Sequence, residues 1–173
     1  ASINFAAAIS GLIIAVMGLF FTLSLSYLNR ILRNFFIILF SLVTAYVASD
    51  FLSQISLVFL GPNFALLSRI AIFCESLFSS MLMPVLTMFI LRCSGERRKR
   101  TPVFSSVLTL WLVYVVLLLF TQFTTQIYTI TPDNVYQRGP WYFILLLPPA
   151  VMTVINCFTL YFRRKNLSRR QCL

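Results

Sequence analysis

The sequence predicts an all-α integral membrane bundle of five spanning helices, and two observations carry that prediction. Of the 173 residues, 60% are hydrophobic and only 10% are charged, with a mean hydropathy of +0.91, whereas an ordinary globular domain is about 25% charged. Several apolar runs also exceed the roughly 18 residues that mark a bilayer-spanning helix. Together these exclude the soluble globular classes.

The first run, 3–27, is long enough to cross with some tilt, and it lacks the basic flank of a signal peptide. Ala7, Gly11, Ala15, Gly18 and Thr22 recur every three or four residues, giving a face of small side chains on which a neighbouring helix packs closely. After a short loop with Arg30 and Arg33, the second run covers 35–60. Gly61, Pro62 and Asn63 form a tight turn signal, which makes the second and third helices antiparallel neighbours. The third run, 64–91, contains Pro84, a predicted kink, and leads into "RCSGERRKRTP", the most basic loop of the chain. Pro102 opens the fourth helix, 103–125, at a position where a missing N–H costs nothing. In the following loop, "ITPDNVYQRGPWY", proline and glycine mark a helix stop and restart. The fifth helix, 141–162, holds Pro148 and Pro149, whose missing donors predict a bend or local unwinding.

The net charge is +10, from 14 Lys and Arg against 4 Asp and Glu. Basic residues among polar surface and stacking aromatics would point to nucleic acid; here they sit in clusters between apolar runs, so no nucleic-acid partner is expected. Arg30 and Arg33, the cluster from Arg92 to Arg100, and the cluster from Arg163 to Arg170 fall on one side of the predicted bundle. The other side receives only Arg138, and Arg69 lies within a helix. Because Lys and Arg accumulate in cytoplasmic loops, the amino terminus is expected outside and the carboxyl terminus inside. The loop from Ile130 to Tyr142 is then extracytoplasmic.

The chain has no histidine, which excludes histidine-based catalysis, metal ligation and histidine phosphorylation within it. Cys74, Cys93, Cys157 and Cys172 form no CxxC pair, so neither a metal nor any other cofactor is expected. Ser49, Ser53, Ser56, Ser76, Ser79 and Ser80 have no histidine, GxSxG turn or SxxK motif beside them and are read as helix-packing residues, not nucleophiles.

Asp50, Gln54, Arg69 and Glu75 are the polar outliers within the apolar runs. At 1.5 Å rise per residue, both carboxylates lie roughly 15 Å below the turn between the second and third helices. A charge at mid-bilayer costs on the order of 3 kcal/mol on insertion scales, so these side chains are expected to face the bundle. Three roles follow: a polar clamp fixing the two helices, a ligand or ion pocket opening toward the loop after the fourth helix, or a proton pathway. Arg69 has two choices, reaching down to Asp50 or snorkelling outward. In the loop, Tyr136 and Trp141 fit an interfacial aromatic belt, while Arg138, next to aromatic faces and to an acid, Asp133, fits a lid or anion contact.

Three stretches, "SSMLMPVLTMFILRCSGE", "TQFTTQIYTITPDNVYQRGPWY" and "RRKNLSRRQ", resemble the multi-helix amino-terminal membrane region of uncharacterised sensor proteins from gut Clostridia. That region is similar in layout to the sensor of peptide-responsive histidine kinases and is followed by a cytoplasmic GHKL-type kinase domain or, in related proteins, a diguanylate cyclase domain. The resemblance covers the chain from about residue 64 onward. It implies a bacterial cell-membrane location, further helices and an output domain beyond "LSRRQ", and a possible homodimer by analogy with sensor kinases. The start at Ala1 and the end at "RRQCL" give the same expectation of a piece of a longer protein.

The expected function is therefore the signal-input region of a bacterial signalling protein, without enzymatic activity of its own. Its expected partners are membrane lipids and an extracytoplasmic or membrane-dissolved ligand. The alternative is a small transporter or proton-coupled permease subunit working through Asp50 and Glu75.

Overall fold

The computed structural model describes residues 2–25, 29–59, 62–95 and 101–167. In chain order it contains α1 (Ser2–Ser24), α2 (Arg30–Phe59), a 3-10 turn (Pro62–Phe64), α3 (Ala65–Cys93), α4 (Pro102–Phe120), the strands β1 (Tyr128–Ile130) and β2 (Tyr136–Arg138), and α5 (Tyr142–Leu167). All five α-helices are long and apolar enough to cross a bilayer. Large apolar side chains such as Ile14, Phe20, Leu66, Val116 and Phe162 stand exposed along them, as hydrocarbon-facing surface requires. The chain has the build of a multi-pass membrane protein.

α3 is the hub, packing against α2, α4 and α5, while α1 packs against α2. On α1 the small-residue face is the contact face: Ala8, Ala15 and Thr22 are buried. A methyl group added to Gly11 would touch Val47, and one added to Gly18 would sit 2.5 Å from the Phe40 ring. Ala8 takes the place in this face that the sequence pattern assigns to Ala7, which is exposed. At the other end of α2, Phe35 stacks on Phe89 of α3 with ring centroids 3.8 Å apart.

Several helix limits differ from those expected. α2 begins at Arg30, since the Asn29 side chain accepts from the Ile31 amide at 3.3 Å and so caps the helix. Arg30 and Arg33 are thus first-turn residues instead of loop residues. α4 starts as predicted, with Pro102 in its first turn and the Thr101 hydroxyl accepting from the Phe104 amide, but it ends at Phe120, five residues early. α5 stays helical through Pro148 and Pro149. The predicted local unwinding does not occur: the prolines leave the Ile144 and Leu145 carbonyls without their helical donors, a loss that a membrane helix packed against neighbours tolerates. Gly61 of the predicted turn, residues 96–100 of the basic loop and residues 168–173 with Cys172 lie outside the described residues.

The main departure is the segment between α4 and α5. Instead of a plain connector it is a small antiparallel hairpin, with Tyr128 opposite Arg138, Thr129 opposite Gln137 and Ile130 opposite Tyr136. Its tip closes through Asn134 at φ 60°, the left-handed region that asparagine tolerates better than most residues. The Asn134 amide donates to the Thr131 carbonyl at 2.9 Å, and the Val135 amide donates to the Thr131 hydroxyl at 3.2 Å. Ile127, Tyr128 and Ile130 turn inward and join Ile72, Tyr114, Leu118 and Leu145 in one apolar core. At the base, Gly139 donates to the Ile127 carbonyl at 2.8 Å, so near the chain that a Cβ there would lie 2.0 Å from the Gln126 carbonyl oxygen. The hairpin is a packed cap on one end of the bundle.

Candidate functional site

The polar residues of α2 and α3 form a layered seam between these two helices. On α2, Asp50 and Gln54 are one turn apart, and the Gln54 amide donates to both Asp50 carboxylate oxygens at 3.0 Å. Tyr46, one turn further from the hairpin, is within electrostatic range of both carboxylates. Ser53, buried, shares its hydroxyl proton between the Asp50 carbonyl at 2.8 Å and the Glu75 carboxylate at 3.2 Å. The Ser53 hydroxyl thereby ties the main chain at Asp50 on α2 to the Glu75 carboxylate on α3, with the two acids at the shared depth that the rise per residue predicts.

One layer nearer the hairpin lies a node of fully enclosed polar groups. Ser56 and Ser68 are 0% exposed and Asn134 is 3% exposed. The two serine hydroxyls lie 2.6 Å apart, Ser68 donates to the Asn134 side-chain oxygen at 2.7 Å, and the Asn134 amide donates to the Ser56 carbonyl at 2.6 Å. Asn134 thus ties the hairpin tip to α2 and α3 at once. Buried polar groups are stable only when satisfied, and this node satisfies all three residues mutually.

The seam continues down α3 toward the basic end. Tyr114 of α4 donates to the Ser76 carbonyl at 3.4 Å and Trp111 to the Ser80 hydroxyl at 3.2 Å. Near Pro84, the Thr87 hydroxyl approaches the Asn156 side-chain oxygen at 2.6 Å, while the Asn156 amide donates to the Met83 carbonyl at 3.3 Å. Each of α2, α4 and α5 is thereby hydrogen-bonded to a different level of the same helix, as apolar surroundings favour.

Of the sequence-predicted intramembrane residues, Asp50, Gln54 and Glu75 come together and Arg69 does not join them. Arg69 is exposed and directs a guanidinium nitrogen to the Ile130 carbonyl of β1 at 3.5 Å, the outward choice. It stands beside a cleft of about 260 Å³ lined by Thr121, Gln122, Thr125, Tyr128 and Thr129 among others. Among the loop candidates, Asp133 is exposed at the tip, and the Arg138 guanidinium lies over the Tyr142 ring at 4.9 Å, a cation–π contact. The Trp141 ring is exposed while its amide donates to the Gln126 carbonyl at 3.0 Å. Tyr136 is half-buried with its ring 5.6 Å from that of Tyr128. Burial pushes its phenol well above the ordinary range; nearby Tyr142 adds to the effect and Arg138 opposes it.

The residues that sequence reasoning passed over are Asn134 as a structural tie, its partner Ser68, and the Thr87–Asn156 pair; Ser56, read from the sequence as a helix-packing residue, meets Ser68 across the α2–α3 contact. Pro132, Asp133 and Asn134 between "IYTI" and "VYQ" were the available signal, a turn cluster flanked by β-branched and aromatic residues. Comparisons with protein-family models, curated proteins and solved structures found no match to this chain.

Proposed function

We propose that this chain is the signal-input region of a bacterial membrane signalling protein, with the hairpin outside the cell and the basic ends of the helices in the cytoplasm. The carrying observation is the Ser56–Ser68–Asn134 node, which hydrogen-bonds the hairpin to α2 and α3 one layer from the Asp50–Ser53–Glu75 group. A ligand that favours one seating of the hairpin would bias the packing of α2 against α3, the differential binding that any population shift requires. α3, bonded also to α4 and α5, is placed to carry that bias toward the basic end. The charge distribution supports the orientation, and the resemblance to sensor regions supports the class.

The test joins the chain through α5 to a reporter kinase domain and measures its output. Asn134→Leu is expected to change the basal output, while Ile14→Leu on the lipid-facing side of α1 leaves it unchanged. Equal output from both variants and the parent would remove the hairpin from any signalling role.

The placing of Asp50 and Glu75 at one depth on neighbouring helices, with Ser53 of α2 bonded to the Glu75 carboxylate, favours one second reading, proton-coupled transport. In proteoliposomes loaded with a pH-sensitive dye, that reading requires a proton flux abolished by Glu75→Gln. The signal-input reading requires none.

A further inference from the structure

We infer that the cleft between α3, the end of α4 and β1 is a binding site for a small oxyanion, a carboxylate or phosphate group, held by Arg69. The inference does not depend on whether the chain senses or transports. It starts from an imbalance of charge: among the described residues that line the cleft, Arg69 is a cation and no lining residue is acidic. Guanidinium carries five N–H donors in a planar fork, and among the described residues its hydrogen bond to the protein is one long bond of 3.5 Å to the Ile130 carbonyl. The fork therefore keeps donors for a planar or tetrahedral oxyanion, the partners it matches best.

The rest of the wall suits the same chemistry. Thr125 and Thr129 line the cleft, Gln122 is fixed there by donating to the Tyr128 hydroxyl at 3.0 Å, and the Thr121 and Thr124 hydroxyls donate their protons to the Leu118 and Phe120 carbonyls. A helix carboxyl end repels anions through its free carbonyls, and α4 ends at this cleft. Its last four carbonyls are occupied: Leu117, Leu119 and Phe120 accept from the Thr121, Gln122 and Phe123 amides, and Leu118 accepts from the Thr121 hydroxyl at 2.6 Å. The repulsion from free carbonyls at this end is thereby reduced, and Arg69 opposes what is left of it. At about 260 Å³ the cleft lies just below the range of roughly 300 to 1,000 Å³ of drug-sized pockets, which limits the occupant to a small molecule or one headgroup.

Two sources supply such an oxyanion, a soluble carboxylate or phosphate and the phosphate of a lipid headgroup, and the experiment separates them. Purified, delipidated protein in dodecyl maltoside, which carries neither phosphate nor carboxylate, is titrated at low chloride with acetate and with inorganic phosphate by calorimetry. In parallel, phosphatidylglycerol retention is measured by native mass spectrometry. Arg69→Gln is expected to weaken binding of the responding probe about tenfold or more, a difference easily resolved in affinity, while Arg69→Lys retains part of it. Since Arg69 is exposed, Arg69→Gln should leave the melting temperature of the ligand-free protein unchanged, which separates loss of the site from loss of folding. Arg69-dependent binding of acetate or phosphate assigns a soluble ligand, and Arg69-dependent retention of phosphatidylglycerol assigns a lipid. Binding indifferent to Arg69→Gln in both arms, or no saturable binding in either, overturns the inference.

Discussion

Ser68 of α3 and Asn134 of the hairpin share a 2.7 Å hydrogen bond across 66 residues of sequence, with both side chains buried. That bond and the Asn134 link to the Ser56 carbonyl decide how the hairpin sits on the bundle. Asn134→Ala leaves the Ser56 carbonyl and a serine hydroxyl without their partner in an enclosed space, at about 1–3 kcal/mol per unsatisfied group. It also places alanine at φ 60°, which disfavours most side chains. Asn134→Gly relieves the backbone and keeps the hydrogen-bond loss. Thermal unfolding in detergent should rank the parent above Asn134→Gly and that above Asn134→Ala; a glycine variant as stable as the parent would show that the node contributes nothing.

Gly139→Ala tests the base of the same hairpin. Its Cβ would meet the Gln126 carbonyl oxygen at 2.0 Å, and backbone cannot rotate away as a side chain can. The 126–127 and 139–141 segments must separate, breaking the bonds from the Gly139 and Trp141 amides. Hydrogen exchange should show both sites opening, with protection of α2 amides retained. Unchanged exchange at residues 139 and 141 would mean that the segment shifts at no cost.

How much of this was legible in the sequence follows from what each feature depends on. The helices were legible because a spanning run is a local property, and the α1 contact face because small residues repeat at helical spacing. The depth of Asp50 and Glu75 was also legible, since rise per residue is constant. The rotation of Arg69 was not, because either direction is compatible with its spacing and the choice rests on the Ile130 carbonyl of a distant strand. The hairpin was missed because three-residue strands carry too little alternation to register as a period, and its tip depends on Ser56 and Ser68, which only the folded chain brings to Asn134. The early end of α4 belongs to the same omission: residues 121–127 turn because Ile127, Tyr128 and Ile130 must reach the core.

Gly18→Leu should loosen α1 from α2. The Phe40 ring lies 2.5 Å from the position of an added Cβ, and the larger side chain must displace it or push the helices apart. Overpacking of this kind typically costs about 1–3 kcal/mol. With cysteines introduced at Gly11 and Val47 across the same contact, disulfide formation should slow in Gly18→Leu. An equal rate would mean that Phe40 swings aside and the helix contact survives.

The Tyr136 phenol gives the cap an alkaline limit. Its folded-state pKa is raised by burial first, and by Tyr142 next, relative to an ordinary value of about 10. A group whose folded pKa is raised contributes stability that is complete below the unfolded pKa and is lost as pH rises through the folded one. The hairpin should therefore hold through neutral pH and weaken once the pH passes about 10, as the unfolded segment gains a phenolate that the packed one resists. Comparing melting temperatures of the parent and Tyr136→Phe from neutral to strongly alkaline pH isolates this group from the other tyrosines. The parent should lose more stability than the variant on the alkaline side alone; parallel curves would show that Tyr136 ionises in the packed hairpin as readily as in the open chain.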